Sequence, residues 1–101
     1  MVNTTIEEID GKYVATISGE LDTLAAQKAE QVLSQLYQTS GKDVIINCEG
    51  LEYIASSGLR ILINILKGAK AGGSRVILRG VNDNIKTVFQ MTGFLPIFEF
   101  E

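Results

Sequence analysis

The sequence predicts a small α/β protein: a mixed β-sheet with helices packed on it, in the order β-β-α-β-α-β-α-β. Segments with the composition and alternation of strands are separated by segments whose apolar residues recur at helical spacing. Asp10-Gly11 is a hairpin signal, so the first two strands are antiparallel. The later strands are separated by helices, which implies parallel pairing. At 101 residues we expect one domain over 1–101.

The first half of the chain supplies the hairpin and one helix. Residues 3–9 predict a strand, and residues 12–18 alternate and are rich in Val, Thr, Ile and Tyr, as a second strand would be. From 23 to 39 the apolar residues fall on one helical face. Asp22 or Thr23 is the natural N-cap of this helix, because both side chains can accept a backbone hydrogen bond.

The second half alternates strands with helices. Residues 44–48 form a nearly continuous apolar run, typical of a strand in a parallel sheet, and residues 49–57 predict a loop. The remaining predicted elements are a helix over 58–71, a strand over 75–79, a helix capped by Asn82 or Asp83 and ended by Gly93, and a last strand over 97–100.

Three loops are expected at one edge of this sheet. Right-handed crossovers bring the carboxyl-terminal ends of parallel strands together, and ligands of open α/β sheets bind there. The loops are 19–22, 49–57 and 80–83. Glu20 and Asp22 could form a carboxylate pair for acid–base work or Mg²⁺, but a helix cap with a solvated turn is favoured.

Composition excludes several kinds of chemistry. The chain has no histidine and one cysteine, Cys48, which excludes Ser-His-Asp and Cys-His catalysis, His-ligated or Cys₄ zinc and an internal disulfide. The glycine-rich segment 68–74 places Lys70 before its last glycines, so it does not match a phosphate loop and favours a helix end. We therefore expect no cofactor, no metal and no enzymatic activity.

Charge and hydropathy point to a protein partner. The formal net charge is -3, whereas nucleic-acid binding needs clustered Lys and Arg, so no nucleic acid is expected as a partner. No apolar run approaches the roughly 20 residues of a membrane span, and no targeting segment is visible. We expect a cytoplasmic protein without membrane insertion.

Ser56, Ser57 and Gly58, at the start of the second helix, are the leading candidates for a site. A serine there can cap the helix by accepting a backbone hydrogen bond. It can also be phosphorylated, because free N–H groups and the positive end of the helix dipole favour a phosphate. Gly58 would let a partner's backbone approach without a Cβ. The pattern leaves both roles open and does not choose between the two serines.

Short motifs in a fixed order strengthen this hypothesis. Gly19-Glu20-Leu21-Asp22 closes the second strand, and Ser56-Ser57-Gly58-Leu59 follows a Leu-x-Tyr-Ile segment. Asn84-Ile85-Lys86-Thr87-Val88-Phe89 then leads through Met91-Thr92-Gly93 to the last strand. In combination, over nearly the whole chain, these motifs resemble STAS domains, specifically the bacterial anti-sigma factor antagonists.

The resemblance implies a non-enzymatic protein that switches partners. The unphosphorylated domain would bind an anti-sigma factor that is also a serine kinase, which frees the sigma factor. The kinase would then phosphorylate Ser57, and a phosphatase would restore the binding form. By position, Asp22 matches the family's acidic residue in the loop that contacts the kinase. The other residues of the expected partner-binding surface are Glu20, Ser56, Gly58 and Leu59.

One position departs from the family pattern. Ala55 stands where an aspartate usually precedes the two hydroxyl residues. This favours, as an alternative, a STAS-fold protein-binding subunit that is never phosphorylated, as in stress-signalling or lipid-transport complexes. A nucleotide-binding protein is a third and less favoured hypothesis.

Overall fold

The computed structural model describes residues 2–101 and confirms the mixed α/β architecture. It opens with an antiparallel hairpin of β1 (Asn3–Ile9) and β2 (Lys12–Leu21). Asp10 and Gly11 join the two strands with positive φ angles of 52° and 77°. Two successive positive φ angles define the turn whose twist matches that of antiparallel strands, as Asp-Gly predicts.

Three helices and four further strands follow the hairpin. In chain order they are α1 (Thr23–Leu33), β3 (Val44–Asn47), β4 (Leu51–Ile54), α2 (Ser56–Ala71), β5 (Val76–Arg79), α3 (Asp83–Met91) and β6 (Glu99–Phe100).

The long strand β2 organises the sheet. The strand order is β1-β2-β3-β5-β6, and all pairs except β1–β2 are parallel. The first part of β2 pairs with β3, where Thr16 lies opposite Asn47. Its last part pairs with β4, where Leu21 lies opposite Ile54. Because β4 continues along β2 where β3 stops, the ends of β2 and β4 project beyond the rest of the sheet.

The core lies between the sheet and the helices. Its largest fully buried side chains include Ile17, Leu21, Leu33, Leu36, Ile46, Leu62, Ile65, Leu78, Ile85 and Phe89. Phe89 of α3 makes edge-to-face contacts with Phe98 and Phe100, with ring centroids 5.4 and 5.7 Å apart. Such contacts stabilise beyond the area they bury, and here they fix α3 against the last strand.

The structure corrects four predicted elements. Residues 51–54, predicted as loop, form β4; its burial does not alternate, because only Leu51 and Ile54 reach the core. Residues 19–21, also predicted as loop, belong to β2, which continues through a bulge where Gly19 has a φ of 91°. The α1 helix ends at Leu33 and continues as a 3-10 turn, Ser34–Tyr37, instead of reaching residue 39.

The last strand is also shorter than predicted. Strand β6 covers Glu99–Phe100, because the chain first makes a 3-10 turn over Leu95–Ile97. Pro96 lies in this turn and has no N–H group to offer a neighbouring strand. The glycine-rich segment, by contrast, behaves as predicted: α2 ends at Ala71 with Gly72 as its C-cap, which removes the main support for a nucleotide site.

Candidate functional site

The candidate site lies where β2 and β4 end side by side. The Ala55 N–H donates to the Leu21 carbonyl oxygen at 2.9 Å, which extends the parallel pairing by one bond. Asp22 follows Leu21 at the end of β2, and Ser56 follows Ala55 after the end of β4. Helices α1 and α2 therefore begin beside each other, and the structure brings Asp22 close to the two serines.

The two helices begin in different ways. Asp22 caps α1, since its Oδ1 accepts a hydrogen bond from the Ala25 N–H at 2.8 Å. Ala55 occupies the N-cap position of α2 with extended backbone angles (φ -89°, ψ 169°), but it has no side-chain acceptor. The first backbone N–H groups of α2 therefore lack a side-chain partner and can bind an anion.

Neither serine caps α2, so the capping interpretation is wrong for both. They follow the N-cap as the first two helical residues, and no side chain forms a cap hydrogen bond there. Ser56 is exposed. The Ser57 Oγ, in contrast, has less than 1 Å² of accessible surface and no hydrogen-bond partner among residues 2–101.

Ser57 lies at a groove between α1 and α2 with a volume of about 230 Å³. Helix α1 contributes Thr23, Ala26, Gln27 and Glu30, and helix α2 contributes Ser57, Arg60 and Ile61. On the α1 side, Glu30 accepts a hydrogen bond from the Tyr37 hydroxyl at 2.7 Å. Burial, and after it this bond, raise the pKa of Tyr37 to about 12. The hydroxyl therefore keeps its proton and continues to donate to Glu30.

Two residues of the predicted contact surface lie in the core. Leu59 is 3% exposed. Gly58 is buried too, and a Cβ there would lie 2.7 Å from Leu21 Cδ2 and 3.1 Å from Ile54 Cγ1. Glycine is thus required so that α2 can pack on the ends of β2 and β4, and the predicted approach of a partner's backbone at Gly58 is wrong.

Two exposed apolar residues were missed. Leu24 is 74% exposed beside the Asp22 cap, and Tyr53 is 49% exposed opposite Glu20 in the β2–β4 register. Leu24 could have been found because it lies outside the apolar face of its predicted helix. Tyr53 could not, because the sequence predicts a loop for its segment. With Glu20, Asp22 and Ser56, they give this edge an exposed surface of mixed acidic and apolar character.

The third predicted loop does not join this surface. Asn82 caps α3 by accepting from the Ile85 N–H at 2.9 Å, and its Nδ2 donates to the Leu51 carbonyl at 3.1 Å. Leu51 is the first residue of β4, whereas the two serines come just after the other end of the strand, which is Ile54. The two ends of β4 are about 10 Å apart, so the 80–83 loop is tied to the far end.

The STAS domain model matches residues 3–101. The chain belongs to the STAS domain family. An anti-sigma-B factor antagonist of Staphylococcus aureus is 30% identical over 92 residues, covering 91% of this chain and 83% of the relative. Within the STAS family, the chain thus belongs with the anti-sigma factor antagonists.

Solved STAS structures agree with this fold. An anti-sigma factor antagonist from Mycobacterium paratuberculosis matches with a TM-score of 0.82 and 27% identity, covering 99% of this chain and 85% of that one. The Bacillus cell fate determinant SpoIIAA in its phosphorylated form matches with a TM-score of 0.74 and 24% identity, covering 98% and 91%.

Other features of this STAS domain bear on its chemistry. Cys48 is 1% exposed, and burial raises the pKa of its thiol to about 12, so it packs as a small apolar residue and is a poor nucleophile. Within residues 2–101, no group of three or more His, Cys, Asp or Glu side chains is arranged to hold a metal. In that same range no helix combines the length and the apolar character that crossing a bilayer requires.

The uncapped start of α2 gives a testable prediction. Ala55→Asn supplies the missing acceptor and should raise the free energy of unfolding by about 0.5–2 kcal/mol. Ala55→Asp should gain less, because Asp22 on the neighbouring chain segment repels a second carboxylate by about 1 kcal/mol or less in solvent. Urea denaturation measures both values. Unchanged midpoints for both variants would show that the N-terminal N–H groups of α2 gain nothing from a side-chain acceptor.

Proposed function

We propose that this STAS domain binds an anti-sigma factor with serine kinase activity and is released from it when Ser57 is phosphorylated. The observation that carries the proposal is the pair of hydroxyl residues at an uncapped helix start, beside Asp22 and an exposed surface. A phosphatase would restore the binding form. Such an antagonist acts in the cytoplasm, where bacterial transcription takes place.

The names of the relatives support this proposal. The Staphylococcus aureus relative is named an antagonist of anti-sigma-B factor. SpoIIAA, an anti-sigma factor antagonist with the same fold, has been solved in unphosphorylated and phosphorylated forms. The same two states in this chain would make it a partner switch.

The exposed surface has the composition of a protein interface. Apolar and aromatic side chains that protrude beside polar groups tend to supply most of the binding energy. Leu24 and Tyr53 are such side chains, and they flank the carboxylates of Glu20 and Asp22. We propose these residues, with Ser56, as the surface that contacts the anti-sigma factor.

Phosphorylation at Ser57 requires one local movement. The kinase transfers the γ-phosphoryl group of ATP: a bond forms between phosphorus and the Ser57 Oγ, the bond to the bridging oxygen breaks, and ADP leaves. The hydroxyl proton passes to a base of the kinase. Because the Oγ is covered, χ1 must first rotate to turn it outward. The rotation breaks no hydrogen bond, since the Oγ makes none.

The phosphate is expected to weaken binding without unfolding the domain. It adds about -1.5 to -2 charges. At the start of α2 this charge is favoured by about 0.3–1 kcal/mol, which offsets repulsion from Asp22 in solvent. In the interface the same dianion must lose its water in a place where the partner is fitted to an uncharged serine hydroxyl, and this desolvation disfavours binding. Each 1.4 kcal/mol of that cost lowers the affinity about tenfold.

A second function is favoured by two observations. The covered Ser57 Oγ, like the alanine at position 55, suits a binding subunit of the same fold that is never phosphorylated. Such a subunit would use the same exposed surface for constant binding.

Kinase treatment separates the two functions. Incubation with the partner kinase and ATP should add one phosphate to the parent, as measured by intact mass and peptide mapping. Ser57→Ala should take up none, and its melting temperature should stay at or slightly above that of the parent, because it removes a covered hydroxyl without a partner.

Ser56→Ala is the matched control and should still be phosphorylated. Phosphate on the Ser57→Ala variant would make another residue the acceptor. If neither the parent nor any variant takes up phosphate and all of them still bind the partner, the constitutive subunit is favoured.

Asp22→Asn tests the proposed binding surface. The amide oxygen can still cap α1, so the melting temperature should change little, while loss of the charge should weaken partner binding about tenfold. Isothermal titration measures the affinity. Asp83→Asn, an exposed change at the start of α3, is the control and should bind like the parent. Equal affinities for both variants would reduce Asp22 to a helix cap.

A further inference from the structure

Arg60 is a cation with no assigned partner beside the proposed phosphorylation site. It lies three residues after Ser57 on α2, and both line the groove between α1 and α2. Residues three apart on a helix share a face. Arg60 is exposed, and no ion pair or side-chain hydrogen bond within residues 2–101 includes it.

The helix directs Arg60 towards the serines. In an α-helix each Cα–Cβ bond tilts towards the N-terminus, so a long side chain covers the turn before its own Cα. For Arg60 that turn contains Ser56 and Ser57. The guanidinium group is therefore within reach of a group attached to Ser57 and extending into the groove.

The carboxylate across the groove already has a different partner. Glu30 accepts the hydrogen bond from Tyr37, which lies in the 3-10 turn after α1. This bond occupies one carboxylate oxygen of Glu30, and the structure shows no ion pair between Glu30 and Arg60. Arg60 is left able to bind another anion without first giving up an ion pair.

We propose that Arg60 binds the phosphate of phosphorylated Ser57 and holds it against the groove between the two helices. The inference rests on the proposed function, because it needs phosphate at this serine. Guanidinium and phosphate form paired, charge-assisted hydrogen bonds. The uncapped N–H groups at the start of α2 supply further donors to the same phosphate.

Arg60 also balances the charges that face the phosphate. Asp22 before α1, Glu30 within α1 and Glu20 on β2 are acidic, and each opposes a dianion at Ser57. On α2, Arg60 is the charged residue of the groove, and it favours the dianion. A nearby cation lowers the second pKa of a phosphate, because it stabilises the form with more negative charge. Held in this way, the phosphate is also less available to a phosphatase.

The inference can be tested without the kinase. Phosphoserine is incorporated at position 57 during translation, and the phosphorus resonance of the intact protein is followed by NMR as a function of pH. Relative to the parent, Arg60→Gln should raise the second pKa of the phosphoserine by about half a unit, and Arg60→Lys by less, since lysine keeps the charge without the paired donors. Lys67→Gln, an exposed change two turns along α2, is the control and should not shift it.

The outcomes separate this inference from the proposed function. Equal pKa values for the parent and Arg60→Gln would overturn the role of Arg60. A shift of equal size in Lys67→Gln would also overturn it, because the effect would then be one of overall charge. Phosphorylation by the kinase is decided by the mass measurement above, so either result can fail without the other. Melts of the unphosphorylated parent and Arg60→Gln should coincide, which excludes a general loss of structure.

Discussion

The arrangement of this domain depends on the close approach of Gly58 to Leu21. Leu21 is fully buried at the end of β2, and a Cβ at position 58 would lie 2.7 Å from its Cδ2 atom. Only glycine lets α2 pack this closely on the strand ends. The hydrogen bond from Ala55 to the Leu21 carbonyl then fixes the start of α2 one residue later. The positions of Asp22 and both serines follow from these two contacts.

The same contacts leave the start of α2 with unsatisfied polar groups. Ala55 provides no cap, and the Ser57 Oγ makes no hydrogen bond. An absent cap costs about 0.5–2 kcal/mol and a covered hydroxyl without a partner about 1–3 kcal/mol. Such local costs are typical of functional sites, where a sequence departs from what stability alone would favour. Here the uncapped N–H groups and Arg60, which has no ion pair within the part of the chain that the structure describes, form a set of groups that a phosphate on Ser57 would satisfy.

Local signals in the sequence were enough for much of the fold. Asp10-Gly11 predicts the hairpin turn, and each of the two observed caps, Asp22 and Asn82, is one of the two candidates that the sequence offers, because these features depend on a few neighbouring residues. Strand β4 could not be predicted, because only its first and last residues, Leu51 and Ile54, are buried. Its sequence therefore lacks the alternation of apolar and polar residues that indicates a strand. Its pairing with the end of β2 is a tertiary contact that no short segment reveals.

The candidate site was predicted less completely than the fold. The motif at 56–59 points to a candidate site, but the sequence does not show which side of a helix start packs on the sheet. Gly58 and Leu59 are therefore predicted as contact residues, with the core as the alternative for Leu59, and both lie in the core. For the same reason, the sequence alone could not predict that the Ser57 Oγ is buried or that Tyr53 is exposed. Both depend on how α2 and β4 pack against β2.

Release of a sigma factor tests the central claim most directly. The chain is titrated into the preformed complex of its anti-sigma factor with the sigma factor, and free sigma factor is measured by size-exclusion chromatography or by transcription from a dependent promoter. The unphosphorylated chain should release sigma factor in proportion to the amount added. The chain phosphorylated at Ser57 should release little at the same concentrations. Equal release by both forms would contradict the phosphorylation switch, and no release by either would contradict the antagonist function itself.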